Sequence, residues 1–588
     1  MKKFLLYTLA TVTGIILASL LFFFVILGSL SVMIASGDKG VTVKNNTILV
    51  INTSTVITDK TSNDPLAGFN FMNLSFTPAL GLNDILGSLE IAANDPKIEG
   101  ILIDISLSPN GWATTREVRE ALHRFKRESG KFIIAYSNKV VDQKSYYLSS
   151  IADKIYINPM TNLEFKGISG QVMFYKNALD RLGVEVQVLR HGKFKGAVEP
   201  YMLESMSEEN RAQIEEYTGS IWNSVLEDIS ASRAIPVADL RYFADNLVAY
   251  QAEGALGNML VDSLIYRDEL ETILKDKVEI DQSKKLSTIE FTDYNKSVAN
   301  IKKGSAKDKI AVIYAEGDIV SSDYGQNIEG ERYAKLIEKE RVDTTVKAIV
   351  LRVNSPGGEA ISADIIWREV ELASRVKPVV VSMGDYAASG GYYISAAATK
   401  IYAQPVTITG SIGVFGLVPN AESLLKKRLG INVETVNTNR SSDFPTLFKP
   451  MTPFETEVMQ QSIENVYDNF IDRVSSGRSM SYEEVDNIGQ GRVWSGIDAK
   501  RIGLVDEIGG LNDAIISAAS LVGLTEYSIK ELPEKEDVYL RLMKQLGSEV
   551  RLNIVRKELG VSYRLYNEFI GLKHYSGVQL RMPYFIEL

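Results

Sequence analysis

Two glycine-rich turns in the second half of the 588-residue sequence contain the residue types that acyl-transfer chemistry requires. The turns, Asn354–Gly358 and Gly384–Tyr392, each follow a predicted strand. Glycine pairs let bare backbone N–H groups approach a ligand, as an oxyanion site requires. Ser389 stands among small residues at the start of a predicted helix, where its hydroxyl is accessible and close to the positive end of the helix dipole. Ser389 is therefore a candidate nucleophile; the alternative is that it only caps the helix that begins near Gly390.

The composition limits which group could act as the base for that serine. The sequence contains no cysteine, so disulfide scaffolds, thiolate metal sites and cysteine nucleophiles are excluded. Only three histidines are present, none of them in an HExxH pair, and we predict neither a metal site nor a cofactor. They are His123, His191 and His574. A lysine is the remaining candidate base, provided that burial lowers its pKa by about 3–5 units from about 10.4.

Lys195 stands in a segment that would allow such burial. Its neighbours Phe194 and residues 196–198 are apolar or small, so the side chain need not be solvated. A Ser–Lys pair is a known variant of the catalytic triad. The competing interpretation is a solvated basic cluster, which would consist of Arg190, His191, Lys193 and Lys195. Lys193 is the nearest rival for the role of base.

The sequence also repeats itself, and the repeat shows how these residues are distributed. Residues 146–159 return as residues 392–405, at an offset of 246 positions (392 minus 146). Three shorter segments also return at similar offsets: residues 100–105 as 348–353, residues 181–183 as 428–430, and residues 260–262 as 504–506. Two homologous halves are therefore predicted over residues 46–280 and 306–530, joined by a polar, lysine-rich linker over 281–305.

Each half retains only one of the two candidate groups. At the same offset Ser389 corresponds to Gln143, and at an offset of 247 (356 minus 109) the Pro-Gly-Gly turn corresponds to Pro109-Asn110-Gly111. Conversely, Lys195 lies 52 residues after Gln143 (195 minus 143), and the same distance from Ser389 reaches Ser441. If an ancestral repeat carried both groups, each copy has lost one. This predicts that the serine and the lysine meet across an interface between the halves.

Both halves alternate short β-branched runs with helical patterns, which predicts an α/β fold with a parallel sheet covered by helices. In the second half the predicted strands are Ile310–Tyr314, Ala348–Val353, Pro378–Ser382 and Lys400–Ala403, and the predicted helices are Tyr333–Glu340 and Ala360–Arg375. The first half has an additional segment, Gly68–Leu82, which is rich in Phe, Leu and Met. It is either a packed insertion or an apolar lip that meets substrate, membrane or a second subunit.

Four motifs together resemble the long, tandem-repeat form of the signal peptide peptidase A (protease IV) family. They are Lys195–Pro200, Asn354–Gly358, Gly384–Tyr392 and Thr409–Gly413. The resemblance implies two tandem homologous domains of the Clp-protease/crotonase-like ββα-spiral class after an N-terminal transmembrane helix. It also implies a membrane-anchored serine endopeptidase with a Ser–Lys dyad that degrades cleaved signal peptides. A homo-oligomer, a tetramer in that family, is implied as well.

The resemblance also implies roles for individual residues. These are Ser389 as nucleophile, Lys195 as general base, Gly358 and Gly390 as backbone N–H donors of the oxyanion hole, and Ser411 as a hydrogen-bond partner of the lysine. Gly357 is the alternative to Gly358. A further motif, Gly491–Gly496, is similar to the family and is interpreted as scaffold because apolar and glycine positions dominate it.

The N-terminal segment predicts a membrane anchor. Residues 4–37 contain no Asp, Glu, Lys or Arg, whereas a cleavable signal has an apolar region of only about 7–15 residues and a span needs about 20. Lys2 and Lys3 precede this stretch, so the positive-inside rule places the N-terminus in the cytoplasm and the catalytic domain outside the cytoplasmic membrane. Residues 1–45 are therefore predicted to be a single-pass anchor. Residues 531–588 form a C-terminal extension without a counterpart in either half.

The net charge of −10 argues against nucleic acid as a partner, because phosphate binding depends on a basic surface. Apolar peptides such as signal peptides are the predicted substrates. Two other functions stay open. One is a crotonase-like acyl-CoA hydratase or isomerase, which would share the glycine oxyanion site. The other is a membrane-anchored scaffold without catalytic activity.

Overall fold

The computed structural model describes residues 42–61, 69–70, 75–76, 79–299, 306–322, 327–534 and 578–582, together with scattered residues between 3 and 21. The predicted anchor at residues 1–45 therefore lies mostly outside the described residues, and so does part of the additional segment at 68–82. Within the described part of the chain, no helix is both long enough and apolar enough to cross a membrane.

A parallel sheet forms the centre of the first half. The strands of this half are β1 Thr47–Asn52, β2 Val56–Thr58, β3 Phe69–Asn70, β4 Ser75–Phe76, β5 Ala79–Gly81, β6 Ile98–Asp104, β7 Phe132–Ser137, β8 Val141–Asp142, β9 Lys154–Ile157, β10 Leu163–Glu164, β11 Glu185–His191, β12 Ser263–Leu264 and β13 Ser287–Glu290. Its helices are α1 Leu82–Asn94, α2 Trp112–Ser129, α3 Gln143–Ser149, α4 Lys176–Leu182, α5 Glu199–Met202, α6 Glu208–Arg233, α7 Val237–Asp245, α8 Ala252–Gly257, α9 Arg267–Lys277 and α10 Phe291–Val298. The sheet order is β12-β9-β7-β6-β1-β13, with parallel pairing throughout.

The second half repeats this architecture. Its strands are β14 Lys309–Glu316, β15 Ile319–Val320, β16 Ile328–Glu329, β17 Val346–Ser355, β18 Gly357–Glu359, β19 Val379–Ala388, β20 Lys400–Ala403, β21 Ile408–Gly410, β22 Val414–Asn420, β23 Val493–Ser495, β24 Glu507–Ile508, β25 Ser528–Leu532 and β26 Val578–Arg581. Its helices are α11 Gly330–Val342, α12 Ala360–Ser374, α13 Gly390–Ser395, α14 Pro453–Arg478, α15 Tyr482–Ile488, α16 Gly496–Arg501 and α17 Leu511–Leu521. The order β24-β20-β19-β17-β14-β25 matches the first sheet strand for strand. The duplication, the α/β class and the predicted strands and helices of this half are confirmed.

The second sheet is covered on both faces, and the central strand β14 shows why its sequence is so apolar. The side chains of Ile310, Val312 and Tyr314 belong to one apolar cluster. Those of Ala311 and Ile313 belong to another, on the opposite face. All five are buried, as expected for a parallel strand whose successive side chains point to alternate faces.

A third sheet joins the two halves, in the order β11-β22-β26-β18-β15-β16. Strand β11 of the first half runs antiparallel to β22 of the second half, in a register that extends from Glu185 opposite Asn420 to His191 opposite Val414. The loop that follows β11 therefore lies against the second half.

The predicted linker is corrected by the structure. Within residues 281–305, strand β13 pairs with β1 as the edge strand of the first sheet. Phe291 and Tyr294 of α10 are buried in the core of the first half. The first half therefore extends to Val298. The pairing with β13 also covers the backbone groups that β1 would otherwise expose at the sheet edge. For the same reason β25 extends the second half to Leu532 beside β14.

Buried ion pairs hold the two halves together. The Arg352 side chain of β17 is fully buried, and its guanidinium lies 2.7 Å from Asp59 and 2.7 Å from Glu117, both in the first half. Desolvation raises the pKa of Glu117 to about 7, although Arg352 opposes the shift. Removing one partner of such a group leaves the remaining charges buried and unpaired, which is strongly destabilising.

Asp385 provides a second link, four residues before Ser389. Its Oδ1 accepts hydrogen bonds from the N–H groups of Ala113 at 2.8 Å and Thr114 at 3.1 Å, at the start of α2. A methyl group on Gly111 would lie 2.2 Å from Cγ of Asp385, so only glycine leaves room for this contact. The loop that carries Ser389 is thus fixed to the N-terminus of a helix of the first half.

Replacing Arg352 tests the link between the halves. We expect Arg352→Met to lower the free energy of unfolding by about 3–5 kcal/mol, because Asp59 and Glu117 would stay buried without their cation. Arg375→Met is the control, since the Arg375 side chain is 64% exposed and pairs with Glu371 at the surface, where such pairs contribute about 0–1 kcal/mol. Urea unfolding followed by circular dichroism measures both variants. Equal losses in the two would contradict the role of Arg352.

Candidate active site

Ser389 lies where β19 ends and α13 begins, in a backbone conformation that neither element uses. Its φ is 54° and its ψ is −114°; a non-glycine residue in this region costs of order 1–3 kcal/mol and is typical of functional sites. Its N–H donates to the carbonyl oxygen of Gly410 at 2.8 Å. The side chain accepts no capping hydrogen bond from α13. Ser389 therefore occupies the N-cap position of the helix, but its hydroxyl is not used as a cap.

Lys195 approaches the serine from the first half, on the loop that follows β11. The loop turns at Gly192, whose φ is 103°, and a methyl group there would lie 2.5 Å from the carbonyl oxygen of Gln490. Lys195 precedes a 3-10 turn at Gly196–Val198 and is completely buried. Lys193 is exposed. The loop therefore buries Lys195 and leaves Lys193 in solvent. The two lysines do not form one solvated basic cluster.

Ser389, Lys195 and Ser411 form one hydrogen-bonded group across the two halves. The Lys195 Nζ lies 2.9 Å from Ser389 Oγ, 3.0 Å from Ser411 Oγ and 3.1 Å from the carbonyl oxygen of Ser411. A neutral amine has two N–H donors and one lone pair. The two oxygens of Ser411 can accept both N–H bonds, which leaves the lone pair to accept the hydroxyl proton of Ser389. The arrangement is complete for an uncharged lysine.

Burial disfavours the charged form of this amine. Desolvation lowers the pKa of Lys195 well below its ordinary value of 10.5, because the charged form would lose its hydration inside the protein. Among the described residues no carboxylate forms an ion pair with Lys195, so nothing there compensates a positive charge. An amine of lowered pKa can take a proton from a serine hydroxyl at neutral pH.

Among the described residues, no histidine takes part in this group. His191 contacts Glu464 through Nδ1 and stacks on Tyr467, with the ring centroids 3.7 Å apart. His123 is exposed on α2, and His574 lies outside the described residues. Among the described residues, Lys195 is the candidate base that contacts Ser389.

The two glycine turns meet beside Ser389. A methyl group on Gly390 would lie 3.2 Å from the nitrogen of Gly358 and 3.2 Å from Cα of Gly357. The N–H of Gly357 already donates to Ser355 Oγ at 3.1 Å. This favours Gly358, together with Gly390, as the pair of N–H donors for an oxyanion.

The Gly491–Gly496 segment, interpreted above as scaffold, packs directly on the lysine. Gly491 has a φ of 80°, and a methyl group there would lie 2.8 Å from both Cα and Cβ of Lys195. The N–H of Ser411 donates to the carbonyl oxygen of Arg492 at 2.7 Å. One short turn therefore sets the positions of Lys195 and Ser411 together. The glycine in the motif is the only sequence signal of this close approach.

A buried polar network, which the sequence did not reveal, holds the lysine loop in place. The fully buried Glu199 accepts a hydrogen bond from Asn210 Nδ2 at 2.8 Å. Gln213 Nε2 donates to the carbonyl oxygen of Phe194 at 2.8 Å, and its Oε1 accepts from the N–H of Val493 at 3.2 Å. Helix α6 thereby connects the lysine loop to β23 of the second half. On a helix such polar residues are indistinguishable from solvent-facing ones until the fold is known.

The counterpart of Ser389 in the first half has a structural role. Gln143 begins α3, and its side chain exchanges two hydrogen bonds with the backbone of Gly167, at 2.8 and 3.0 Å. Asp142 caps the same helix by accepting from the N–H of Ser145 at 2.7 Å. At the position equivalent to Ser389, Gln143 therefore connects the start of α3 to the loop at Gly167.

The C-terminal extension contributes strand β26 to the site, which was also unexpected. In antiparallel register Gly357 lies opposite Arg581, and Gly358 lies opposite Leu580. No local pattern indicates this pairing, because the two strands are remote in sequence.

A buried serine hydroxyl, a buried lysine amine of lowered pKa and adjacent backbone N–H donors on an α/β fold fit the arrangement of serine hydrolases with a lysine base. The sequence pattern of peptidase family S49 matches the chain twice, at residues 125–281 and 371–525. The chain belongs to peptidase family S49 and is a serine peptidase. The first match contains Lys195 and the second contains Ser389.

Several similar proteins are proteases. Protease 4 of Haemophilus influenzae is 33% identical over 512 residues, which cover 81% of this chain and 82% of the relative. Protease 4 of Salmonella typhi is 35% identical over 481 residues, covering 80% of this chain and 76% of the relative. The chloroplastic serine protease SPPA of Arabidopsis thaliana is 32% identical over 521 residues, covering 86% of this chain and 75% of the relative. Alignments of this length include both halves.

Similarity to solved structures is weaker. The structure of ClpP1 from Listeria monocytogenes aligns with 34% of this chain and 92% of its own, at 18% identity and a TM-score of 0.23. At that score the alignment supports no argument about the fold, and the Clp-protease/crotonase spiral class stays a prediction.

Gly491 offers a test of how the lysine is positioned. We expect Gly491→Ala to lower kcat by about tenfold or more, because the added methyl group pushes on Lys195 and small displacements of a catalytic group are costly. Gly503→Ala is the matched control, since Gly503 has a similar φ of 84° but its methyl group would meet only Met480 Sδ at 4.0 Å. Steady-state hydrolysis of a fluorogenic peptide measures both. An equal loss of kcat in the control would contradict the role of Gly491.

Proposed function

We propose that the chain is a membrane-anchored serine endopeptidase that cleaves apolar peptides with a Ser389–Lys195 dyad. The observation that carries the proposal is the 2.9 Å separation of Lys195 Nζ and Ser389 Oγ at a site where both side chains are fully buried. Membership of a peptidase family favours peptide bonds over acyl-CoA as the substrate. The presence of both groups in contact also argues against an inactive scaffold.

Acylation would begin with the transfer of the Ser389 hydroxyl proton to Lys195. The serine oxygen attacks the carbonyl carbon of the scissile bond, and the developing oxyanion accepts hydrogen bonds from the N–H groups of Gly358 and Gly390. The lysine is then an ammonium, which Ser411 stabilises through its hydroxyl and carbonyl oxygens. This ammonium returns the proton to the leaving amine.

Deacylation repeats these roles with water. Lys195, neutral again, takes a proton from a water molecule that attacks the acyl-enzyme ester, and Ser389 leaves with a proton from the lysine. The same two N–H groups stabilise the second oxyanion. Each half of the chain supplies one partner of the proton transfer, so both repeats are needed in every turnover.

The substrates and the location are proposed from the resemblance described above. Cleaved signal peptides are apolar, and the apolar stretch at residues 4–37 would hold the peptidase at the outer face of the cytoplasmic membrane, where such peptides arise. The relatives that carry the names Protease 4 and SPPA support a proteolytic role.

A homo-oligomer, a tetramer by the family resemblance, is part of the proposal. Exposed large apolar side chains are concentrated in one segment of the second half, namely Leu429, Ile431, Val433, Val436, Leu447, Phe448, Phe454 and Val458. Exposed apolar patches of this kind mark interaction surfaces. A second copy of the chain is the proposed occupant of this surface.

Variants of the two central residues test the dyad in the whole chain. We expect Ser389→Ala and Lys195→Ala each to lower kcat by about three orders of magnitude or more, because each removes a group that bonds or transfers protons in the transition state. A fluorophosphonate probe should label the wild-type protein at Ser389, as detected by mass spectrometry. An acyl-CoA hydratase or an inactive scaffold would remain unlabelled.

Mixing the two variants is the matched control. Since Lys195 and Ser389 meet within one chain, a mixture of full-length Ser389→Ala and Lys195→Ala proteins should stay inactive. Recovery of activity in the mixture would show that Lys195 and Ser389 pair between chains. Residual activity above about a tenth of wild type in either variant would contradict the assignment of the dyad.

The pH dependence of hydrolysis should follow the lysine. The base must be deprotonated and burial lowers its pKa, so kcat/KM is expected to rise with pH and to level off well below about 10.4. Replacing His123, His191 and His574 with Gln should leave that rise in place. Initial rates measured across the pH range in which the protein stays folded give the profile. A midpoint near the ordinary lysine value, or an inactive but folded triple variant, would contradict the assignment.

A further inference from the structure

A cavity of about 340 Å³ lies between the two halves of the chain. Helices α1 and α2 of the first half form one side, and α17 with strands β14 and β25 of the second half forms the other. Apolar side chains such as Leu89, Phe125 and Ile515 form more than half of its wall. The volume falls in the range of about 300–1,000 Å³ that is typical of small-molecule sites. None of the residues named above as contacts of Ser389 and Lys195 belongs to this wall.

The wall contains an arginine without an ion-pair partner. Arg124 of α2 is half-buried, and among the described residues no carboxylate lies within ion-pair distance of its guanidinium. Glu90 and Glu128 also border the cavity, but both are exposed, and Glu128 pairs with Arg127 at 3.6 Å. A guanidinium whose N–H groups are not engaged by the protein can bind a ligand carboxylate with two parallel hydrogen bonds.

A carboxylate of the second half, that of Glu531, also lines the cavity. Its Oε1 accepts hydrogen bonds from Asn83 Nδ2 at 2.6 Å and from the Tyr314 hydroxyl at 3.0 Å. Among the described residues no lysine or arginine forms an ion pair with it. A carboxylate accepts up to about four hydrogen bonds, so Glu531 can still accept from a ligand ammonium group.

The packing of α1 against α2 sets the levels of these groups. The two helices precede the parallel strands β6 and β7 and run in the same direction. Lys131, which follows α2, donates to the carbonyl oxygens of Ala92 at 2.8 Å and Asp95 at 2.7 Å, at the end of α1. The two helices therefore end at about the same level.

Arg124 and Glu531 are separated along the cavity by the length of a short peptide. Arg124 lies five residues before the end of α2 (129 minus 124), whereas Asn83 lies eleven residues before the end of α1 (94 minus 83). The difference of six residues, at a rise of 1.5 Å each, is about 9 Å. Asn83 donates to Glu531, so the carboxylate lies at the level of Asn83. An extended chain rises about 3.3 Å per residue, and three residues span this distance.

The charges around the cavity favour a zwitterion over an anion. Three carboxylates and one arginine line it, so a ligand with only a negative charge, such as a fatty acid, would be repelled. An apolar peptide with free ends carries a carboxylate for Arg124 and an ammonium group for Glu531. Its side chains match the apolar part of the wall.

We propose that this cavity binds short apolar peptides of about three residues with free termini. The peptide carboxylate lies at Arg124 and the peptide ammonium group at Glu531. Such peptides belong to the class of products that an endopeptidase releases from apolar substrates. Binding needs neither Ser389 nor Lys195, so the proposal goes beyond the proposed function and does not depend on it. Because the ligand contacts both halves, its binding stabilises the folded chain.

Calorimetric titration of the full-length Ser389→Ala protein with Ala-Leu-Ala tests the proposal. This variant removes the proposed nucleophile, so the peptide should stay intact during the titration. We expect the free peptide to bind, and we expect acetylation of its N-terminus or amidation of its C-terminus to weaken binding by about tenfold or more, because each removes one charge-assisted contact. Decanoate provides the comparison with a fatty acid and should bind more weakly than the peptide.

Replacing Arg124 in the same background locates the binding site. We expect Arg124→Gln to lower the affinity for Ala-Leu-Ala by about tenfold or more. Arg368→Gln is the matched control, since it removes the same charge from α12, where the side chain is 54% exposed and pairs with Glu371 outside the cavity; its affinity should not change. Arg124→Lys keeps the charge and should bind more tightly than Arg124→Gln. Thermal unfolding without peptide should give the same Tm for Arg124→Gln as for its parent, because Arg124 has no ion pair to lose.

The outcomes separate this site from the catalytic site. No binding at millimolar peptide, or equal binding of the free and blocked peptides, overturns the proposal. Undiminished affinity in Arg124→Gln places the peptide elsewhere, and an equal loss in Arg368→Gln removes the role of Arg124; both overturn it. Tighter binding of decanoate than of the peptide overturns the choice of a zwitterion. If the peptide binds as expected but a fluorophosphonate does not label Ser389 in the wild-type protein, the proposed function is wrong and the peptide site stands.

Discussion

A lysine amine buried without a counter-charge is the constraint on which the rest of this structure depends. An isolated ammonium in an apolar interior costs far more than a folded protein can tolerate, so the group loses its proton instead. Lys195 is fully buried, and among the described residues its Nζ has only oxygens of Ser389 and Ser411 as hydrogen-bond partners. In the proposed dyad, the base strength of Lys195 therefore follows from packing. The proposed activity then depends on whatever keeps water and carboxylates away from this atom.

The division of the site between two repeats follows from that constraint. The lysine reaches the second half on a loop that β11 carries into a shared sheet with β22, and a turn at Gly491 packs against its backbone. Arg352 and its buried carboxylates fix the relative position of the halves. The first-half counterpart of the nucleophile, Gln143, has become a structural residue. The proposed site is thus composite, and its geometry depends on the interface as much as on either repeat.

Much of this arrangement could be predicted from the sequence, because its signals are local or repeated. The apolar runs of the sheet strands reflect burial on both faces, and the offset between repeats exposed the asymmetry at Ser389 and Lys195. Features that depend on remote pairing could not be predicted. Strand β13 is a short edge strand of sequence Ser-Thr-Ile-Glu, which has no apolar run. The choice between Gly357 and Gly358 depends on a single hydrogen bond to Ser355, and the place of β26 depends on a partner strand far away in sequence.

The protonation state of Lys195 is the most direct measure of whether burial lowers the pKa of this amine enough for it to act as the base. Nitrogen NMR of the full-length protein labelled with 15N-lysine, with the Lys195 Nζ signal assigned by its loss in Lys195→Met, follows that atom as pH changes. Burial without a counter-charge predicts the chemical shift of a neutral amine at about pH 8 and a titration well below the ordinary lysine value of about 10.4. An ammonium signal at about pH 8, titrating near 10.4, would contradict it.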